Sequence, residues 1–98
     1  PWIYEIHHRA KLDAPSGTAL KLKQILEKSY AGRAISVASN RAGTVPGEHI
    51  VGFDSESDTL TFTHTARSRQ GFASGALHAA EWLRGRKGFY EFAETLAP

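Results

Sequence analysis

Glu5-Ile-His-His-Arg-Ala-Lys-Leu-Asp-Ala-Pro-Ser-Gly-Thr-Ala19 is the stretch whose reading decides the fold. Its first residues finish an extended run, Trp2-Ile-Tyr-Glu-Ile6, rich in β-branched and aromatic side chains. Pro15 keeps Ala14 out of the helical region, and Ser16 follows it as a good N-cap. From Ala19 to Lys28 the period becomes helical. Ala19, Leu22, Ile25 and Leu26 share one face; Lys21, Gln24 and Lys28 share the other. Ser16, Gly17 and Thr18 therefore stand where a helix presents its free N–H groups and the positive end of its dipole. His7, His8, Arg9 and Lys11 lie just upstream. A cationic pocket at a helix N-terminus suits a small carboxylate or phosphate. Each feature alone is ordinary, as a cap, a solvated imidazole or a solubilising lysine; their convergence in one short stretch points to a site.

Working outward, Gly32 closes the first helix and Ala34–Ser39 reads as a short strand, parallel to the first across a helical crossover. Residues 40–47, with two glycines and a proline, read as an irregular loop. Glu48–Asp54 and Thr59–Thr65 form a hairpin about the polar turn Ser55-Glu-Ser-Asp58. In its second strand Leu60, Phe62 and His64 alternate with Thr59, Thr61, Thr63 and Thr65. The Leu/Phe face belongs against helices. The threonine face is either a solvated sheet surface or, as the preferred reading, a sheet-on-sheet contact between subunits. Gly71–Leu83 is a second helix with a low, alanine-rich surface. The tail carries Phe89, Phe92 and Leu96 at helical spacing and is expected to be poorly anchored or to pack on another copy. The expected fold is α+β: a mixed four-stranded sheet with two helices on one face, in the order β-α-β-β-β-α.

The 98 residues make one small domain with a modest core. No run approaches the ~20 apolar residues of a membrane span. There are no cysteines, so nothing indicates an oxidising compartment. A net charge of +2, scattered along the chain, offers no continuous basic stripe for nucleic acid. Glu48, His49, His64 and His78 match no zinc spacing, and no metal is expected.

The opening string resembles the motif of the 4-hydroxy-tetrahydrodipicolinate reductase (dihydrodipicolinate reductase) family. It matches at Glu5, His7, His8, Lys11 and each residue from Asp13 to Ala19. Arg41-Ala-Gly-Thr-Val-Pro-Gly-Glu-His49 is similar to the family's Arg-x-Gly-x-x-x-Gly-x-His segment. Thr63-His-Thr-Ala-Arg-Ser-Arg-Gln-Gly-Phe-Ala73 is similar to its approach to the last helix. The resemblance covers nearly the whole chain, and the architecture is similar to the C-terminal domains of several Rossmann-type dehydrogenases.

The resemblance implies reduction of an unsaturated cyclic dicarboxylate by NADPH or NADH, in the cytoplasmic route to diaminopimelate and lysine, by a homotetramer joined through its sheets. It implies His7 as general acid, with Lys11 as a second proton donor or electrostatic stabiliser. It implies substrate binding by His8, Ser16, Gly17 and Thr18, and an approach of Arg69 and Phe72 to the nicotinamide. Successive strand residues point to opposite faces, so His7 and His8 cannot both face one pocket from a regular strand. No Gly-x-Gly-x-x-Gly fingerprint occurs. Residues 1–98 thus read as a substrate-binding and oligomerisation domain without the family's N-terminal Rossmann domain, inactive by itself. A non-catalytic oligomerisation or small-carboxylate-binding module of the same fold is the alternative.

Overall fold

The computed structural model describes residues 1–97. It contains β1 (Trp2–His7), α1 (Gly17–Ser29), β2 (Ser36–Arg41), β3 (Glu48–Asp54), β4 (Thr59–Thr65), α2 (Gln70–Leu83) and a 3-10 helix (Phe92–Leu96). The class is α+β, and the four strands form one mixed sheet in the order β2-β1-β3-β4. β1 runs parallel to β2 and antiparallel to β3, and β3 and β4 form the hairpin. The chain divides into two compact units, Pro1–Arg67 and the segment from Ser68 on. Among the described residues no helix is long and apolar enough to cross a membrane.

In the first unit α1 packs on one face of the sheet. Ser16 caps it, its side chain accepting the Ala19 N–H. Registered residues share a face, so Ile3 lines up with Val37, Val51 and Phe62, and Glu5 with Ser39, His49 and His64. Ile3, Ala19 and Ile35 are the buried centre, with Leu22, Leu26, Val37 and Val51 packed around them. Ile25, expected on this stripe, instead lies 51% exposed. α1 covers only the middle of its face, and Phe62 on β4 is left 61% exposed. Within this unit, then, the Leu/Phe face of β4 is not covered by a helix. Strand β2 begins and ends two residues later than the sequence suggests, because its register runs from Trp2↔Ser36 to His7↔Arg41. That shift moves Arg41 from a loop onto a strand end beside His7.

The opposite face carries Trp2, Tyr4, Ile6 and Ile50 in register with Thr61, Thr63 and Thr65. The first unit has no helix to place there. The Trp2 indole lies over Gly52 and donates from Nε1 to Asp54 Oδ1 at 3.1 Å.

The second unit is α2 with the tail folded onto it. His78 Nε2 bonds the Thr95 carbonyl at 3.0 Å, Thr95 is buried, and Phe92 sits beside Gly75. The tail is thus anchored on its own helix rather than poorly anchored, one of the two alternatives the sequence suggested. Gly75 leaves space for a ring, and His78 supplies a polar partner. A reciprocal capping box of Glu91 and Glu94 starts the 3-10 turn. Trp82 meets Tyr90 edge-on and carries Arg86 on its ring face at 3.9 Å.

Gly52 is required by the indole above it: a Cβ there would lie 2.1 Å from Trp2 Cε2. Gly52→Ala should therefore cost about 1–3 kcal/mol, the usual range for overpacking. In thermal denaturation this appears as a loss of about 4–8 °C per kcal/mol. The cost should shrink markedly in a Trp2→Ala background, which removes the clash.

Candidate functional site

The site is built around a carboxylate. Glu5 alternates with Ile3 on the inward face of β1 and is 0% exposed. A buried carboxylate is tolerable only when its oxygens are matched by donors. Arg41, across the parallel pair, grips it with two nitrogens, Nη2 to Oε1 at 2.8 Å and Nη1 to Oε2 at 3.0 Å. His7, two residues on and on the same face, places Nδ1 2.5 Å from Oε2. The Ser16 backbone N–H donates to Oε1 at 3.2 Å. Burial by itself would raise the Glu5 pKa, but hydrogen bonds from Arg41, His7 and Ser39 overcome it and hold the carboxyl at about 2.

Arg41 Nη2 also donates to the Asp13 carbonyl at 2.6 Å, tying down the loop between β1 and α1. The end of β1 is further fixed by Ala42 N–H to the His7 carbonyl and by Arg9 N–H to the Gly43 carbonyl, both at 3.0 Å. Within the loop Lys11 pairs with Asp13 at 2.9 Å, and this bond lowers the Asp13 pKa.

Ser16 is a buried hub. Its Oγ accepts the Ala19 N–H at 3.1 Å and meets His49 Nε2 at 2.9 Å. Leu20 N–H to the Ser16 carbonyl, at 3.0 Å, is the first intrahelical bond. The amides of Gly17 and Thr18 are thus the donors that α1 leaves over, on exposed residues at its first turn. His49 stands edge-on to His7 with ring centroids 5.1 Å apart. Burial, and then the neighbouring charge of His7, push its pKa below the ordinary value of 6.5.

Of the residues singled out in the sequence, His7 and Ser16 meet on Glu5, while Gly17 and Thr18 begin α1 beside them. Lys11 stays half-buried in the connecting loop. His8 lies just past the end of β1 and is half-buried; its carbonyl accepts the Lys11 N–H, and among the described residues its ring makes no hydrogen bond. The strand therefore ends between the two histidines, and only His7 shares the Glu5 face. Arg69 and Phe72 belong to the second unit, at the start of α2, where Phe72 is exposed and Arg69 makes no side-chain capping bond.

Sequence reasoning gave Glu5, Arg41 and His49 no role in the site. For Glu5 a signal was present: period-2 alternation places it beside Ile3 in the core, and a buried carboxylate demands partners. Glu5, His7 and His49 also bring three potential ligand atoms within 4.8 Å of one another. The carboxylate is already filled by the Arg41 guanidinium, Ser16 and His7, so the cluster is an ion-paired network.

Residues 2–96 match the family described as "Dihydrodipicolinate reductase, C-terminus". The chain belongs to that family. The 4-hydroxy-tetrahydrodipicolinate reductase of Christiangramia forsetii is 42% identical over 106 residues, covering 97% of this chain and 44% of that protein. The protein of the same description from Aquifex aeolicus is 42% identical, covering 96% of this chain and 42% of its own length. The chain thus spans less than half of the curated relatives it matches. A solved structure, dipicolinate-bound dihydrodipicolinate reductase from Paenisporosarcina sp. TG-14, superposes with a TM-score of 0.71 at 28% identity, covering 84% of this chain and 38% of that one.

The network makes this family domain acid-sensitive with a defined sign. Both Glu5 and His49 have folded pKa values below their ordinary ones, so the unfolded chain binds more protons and stability falls as pH falls. In urea unfolding the midpoint should begin to drop below pH 6.5 as His49 contributes. It should drop further between 4.5 and about 2 as Glu5 contributes. Glu5→Gln should start from a lower midpoint and lose the more acidic step.

Proposed function

We propose that this chain is the substrate-binding domain of a reductase that transfers hydride from NADH or NADPH to 4-hydroxy-tetrahydrodipicolinate, in the cytoplasmic synthesis of diaminopimelate and lysine. The nucleotide-binding half belongs to the rest of the protein. The observation that carries the reading is that one buried carboxylate, Glu5, holds both the His7 imidazole and the Ser16 amide at the start of α1, in a family whose matched relatives are described as this reductase.

When bound, the nicotinamide supplies a hydride to the conjugated imine. The domain's own residues do the rest. The Gly17 and Thr18 amides and the Thr18 hydroxyl receive one ring carboxylate at the positive end of α1. Lys11 supplies a positive charge beside it, and exchanges its Asp13 partner for the substrate. His8 completes the substrate contacts, and Ser16 keeps the helix start in place. His7 delivers the proton that quenches the electron pair displaced by hydride addition, the part an imidazole most often plays as a general acid. Arg69 and Phe72, both left exposed by their own unit, are free to meet the nicotinamide. The binding of dipicolinate by the Paenisporosarcina relative supports a planar dicarboxylate as the ligand class.

The test has two parts. Dipicolinate titrated into the 15N-labelled chain should shift the amides of Gly17 and Thr18 and the ring of His7; unmoved signals at saturating ligand would overturn the site. For kinetics, this chain replaces the matched segment of the Christiangramia forsetii relative. There, His7→Ala should lower kcat by roughly 10²–10⁴-fold, the range for a lost general acid. Lys11→Ala should lower kcat and raise KM. Thr18→Val should act on KM alone, by roughly 1.5–3 kcal/mol of binding. Near-normal kcat in both His7→Ala and Lys11→Ala would leave the stretch a carboxylate-binding helix cap only.

The same proposal includes self-association into a tetramer through the uncovered sheet face, where Trp2, Tyr4, Ile6 and Ile50 adjoin the threonines of β4. Such a face is stable when a second sheet covers it. Light scattering should report an oligomer at micromolar concentration, and Thr61→Lys should dissociate it.

A further inference from the structure

The contacts of Glu5 have a consequence for the chemistry of His7. An ionised carboxylate can only accept hydrogen bonds, through about four lone-pair directions. Here Oε1 receives Arg41 Nη2 at 2.8 Å and Ser16 N–H at 3.2 Å. Oε2 receives Arg41 Nη1 at 3.0 Å and His7 Nδ1 at 2.5 Å. Both oxygens are occupied by donors and the side chain is fully buried, so the group is not offered to a ligand. What it does is orient its donors. Because it accepts, the His7 nitrogen beside it must be Nδ1–H, and the nitrogen that can exchange a proton is Nε2.

The surroundings of Nε2 fit that role. Gly47 lies against that edge of the ring: a Cβ there would stand 2.9 Å from Nε2 and 3.0 Å from Cδ2. Any other residue would crowd the nitrogen. Gly47 is buried and held in place, its carbonyl accepting the Ala66 N–H at 2.9 Å. The second imidazole of the cluster is differently engaged. His49 points Nε2 at the Ser16 hydroxyl, which caps α1, so its proton exchange is tied to the helix start.

We propose that Glu5, braced by Arg41, is the positioning residue of His7, holding the ring in its Nδ1–H form while Gly47 keeps Nε2 open as the atom that delivers the proton. The proposal deepens the reductase reading and, for its kinetic consequence, rests on it. In the step, the Nε2–H bond breaks and a C–H bond forms at the substrate carbon bearing the electron pair displaced by hydride addition. The nicotinamide donor is oxidised and the substrate ring reduced. The imidazole is left neutral with Nδ1–H still on Glu5, and Nε2 regains its proton from solvent. Glu5 stays ionised throughout.

Long-range 15N–1H spectra of the wild-type chain, at a pH where the ring is neutral, read the tautomer directly. In water a free histidine ring prefers Nε2–H, so a single Nδ1–H form at His7 is the expected, non-default result. An Nε2–H form or a tautomer mixture would overturn the proposal without any variant having to fold. Glu5→Gln, checked for a native amide spectrum, should abolish the single tautomer, because a carboxamide can face the ring with either its oxygen or its nitrogen; an unchanged tautomer would also overturn it. In the chimaeric enzyme Glu5→Gln and Gly47→Ala should each lower kcat by at least tenfold with KM changed less than threefold. A KM effect alone would assign both residues to substrate binding and sink the positioning role. Should the chimaera lack activity while wild-type His7 shows the Nδ1–H form, the positioning stands and the reductase reading fails, so the two are separable.

Discussion

The buried carboxylate of Glu5 is the constraint on which the rest of the first unit depends. An ionised group with no exposure costs several kcal/mol unless donors replace its water. Its donors come from three separated pieces of chain: the end of β1 at His7, the end of β2 at Arg41, and the start of α1 at Ser16. Satisfying one carboxylate therefore fixes the parallel register, the entry to the helix and the orientation of an imidazole together. Arg41 extends the effect by holding the Asp13 carbonyl, so the loop that carries Lys11 is anchored at its far end as well.

The apolar core could not impose this order. Its buried centre is Ile3, Ala19 and Ile35, with four half-covered aliphatic neighbours. Such a centre sets helix against sheet without specifying where the ends of β1 and β2 must lie. The polar network adds directional bonds where hydrophobic burial, being non-directional, is indifferent. Ser16 shows the economy of the arrangement. Its amide serves Glu5, its hydroxyl caps α1 and meets His49, and its carbonyl opens the helical ladder. The two amides that remain free face outward at the same helix end.

The two faces of the sheet also differ in chemistry. The side under α1 holds the ionic network and the imidazoles. The other side presents aromatic and aliphatic residues of β1 and β3 continuous with the β4 threonines. Period-2 alternation produces that separation residue by residue, so that one strand, β1, places Ile3, Glu5 and His7 on one face and Trp2, Tyr4 and Ile6 on the other.

Much of this was legible in the sequence. Local rules set the cap at Ser16, the span of α1, the hairpin at its observed bounds and the second helix, because each depends on neighbours within a few residues. The motif strings identified the family and drew attention to the stretch that holds Glu5, His7 and Ser16. Other features needed the tertiary structure. Whether Ile25 is covered depends on how far α1 extends over the sheet. Whether the tail is anchored depends on Gly75 and His78 meeting residues distant in sequence. Above all, Arg41 became part of the site only because β2 begins and ends two residues later than expected, which pairs Arg41 with His7. Parallel register is fixed by contacts between segments far apart in the chain, and here the decisive contact is one guanidinium reaching one buried carboxylate.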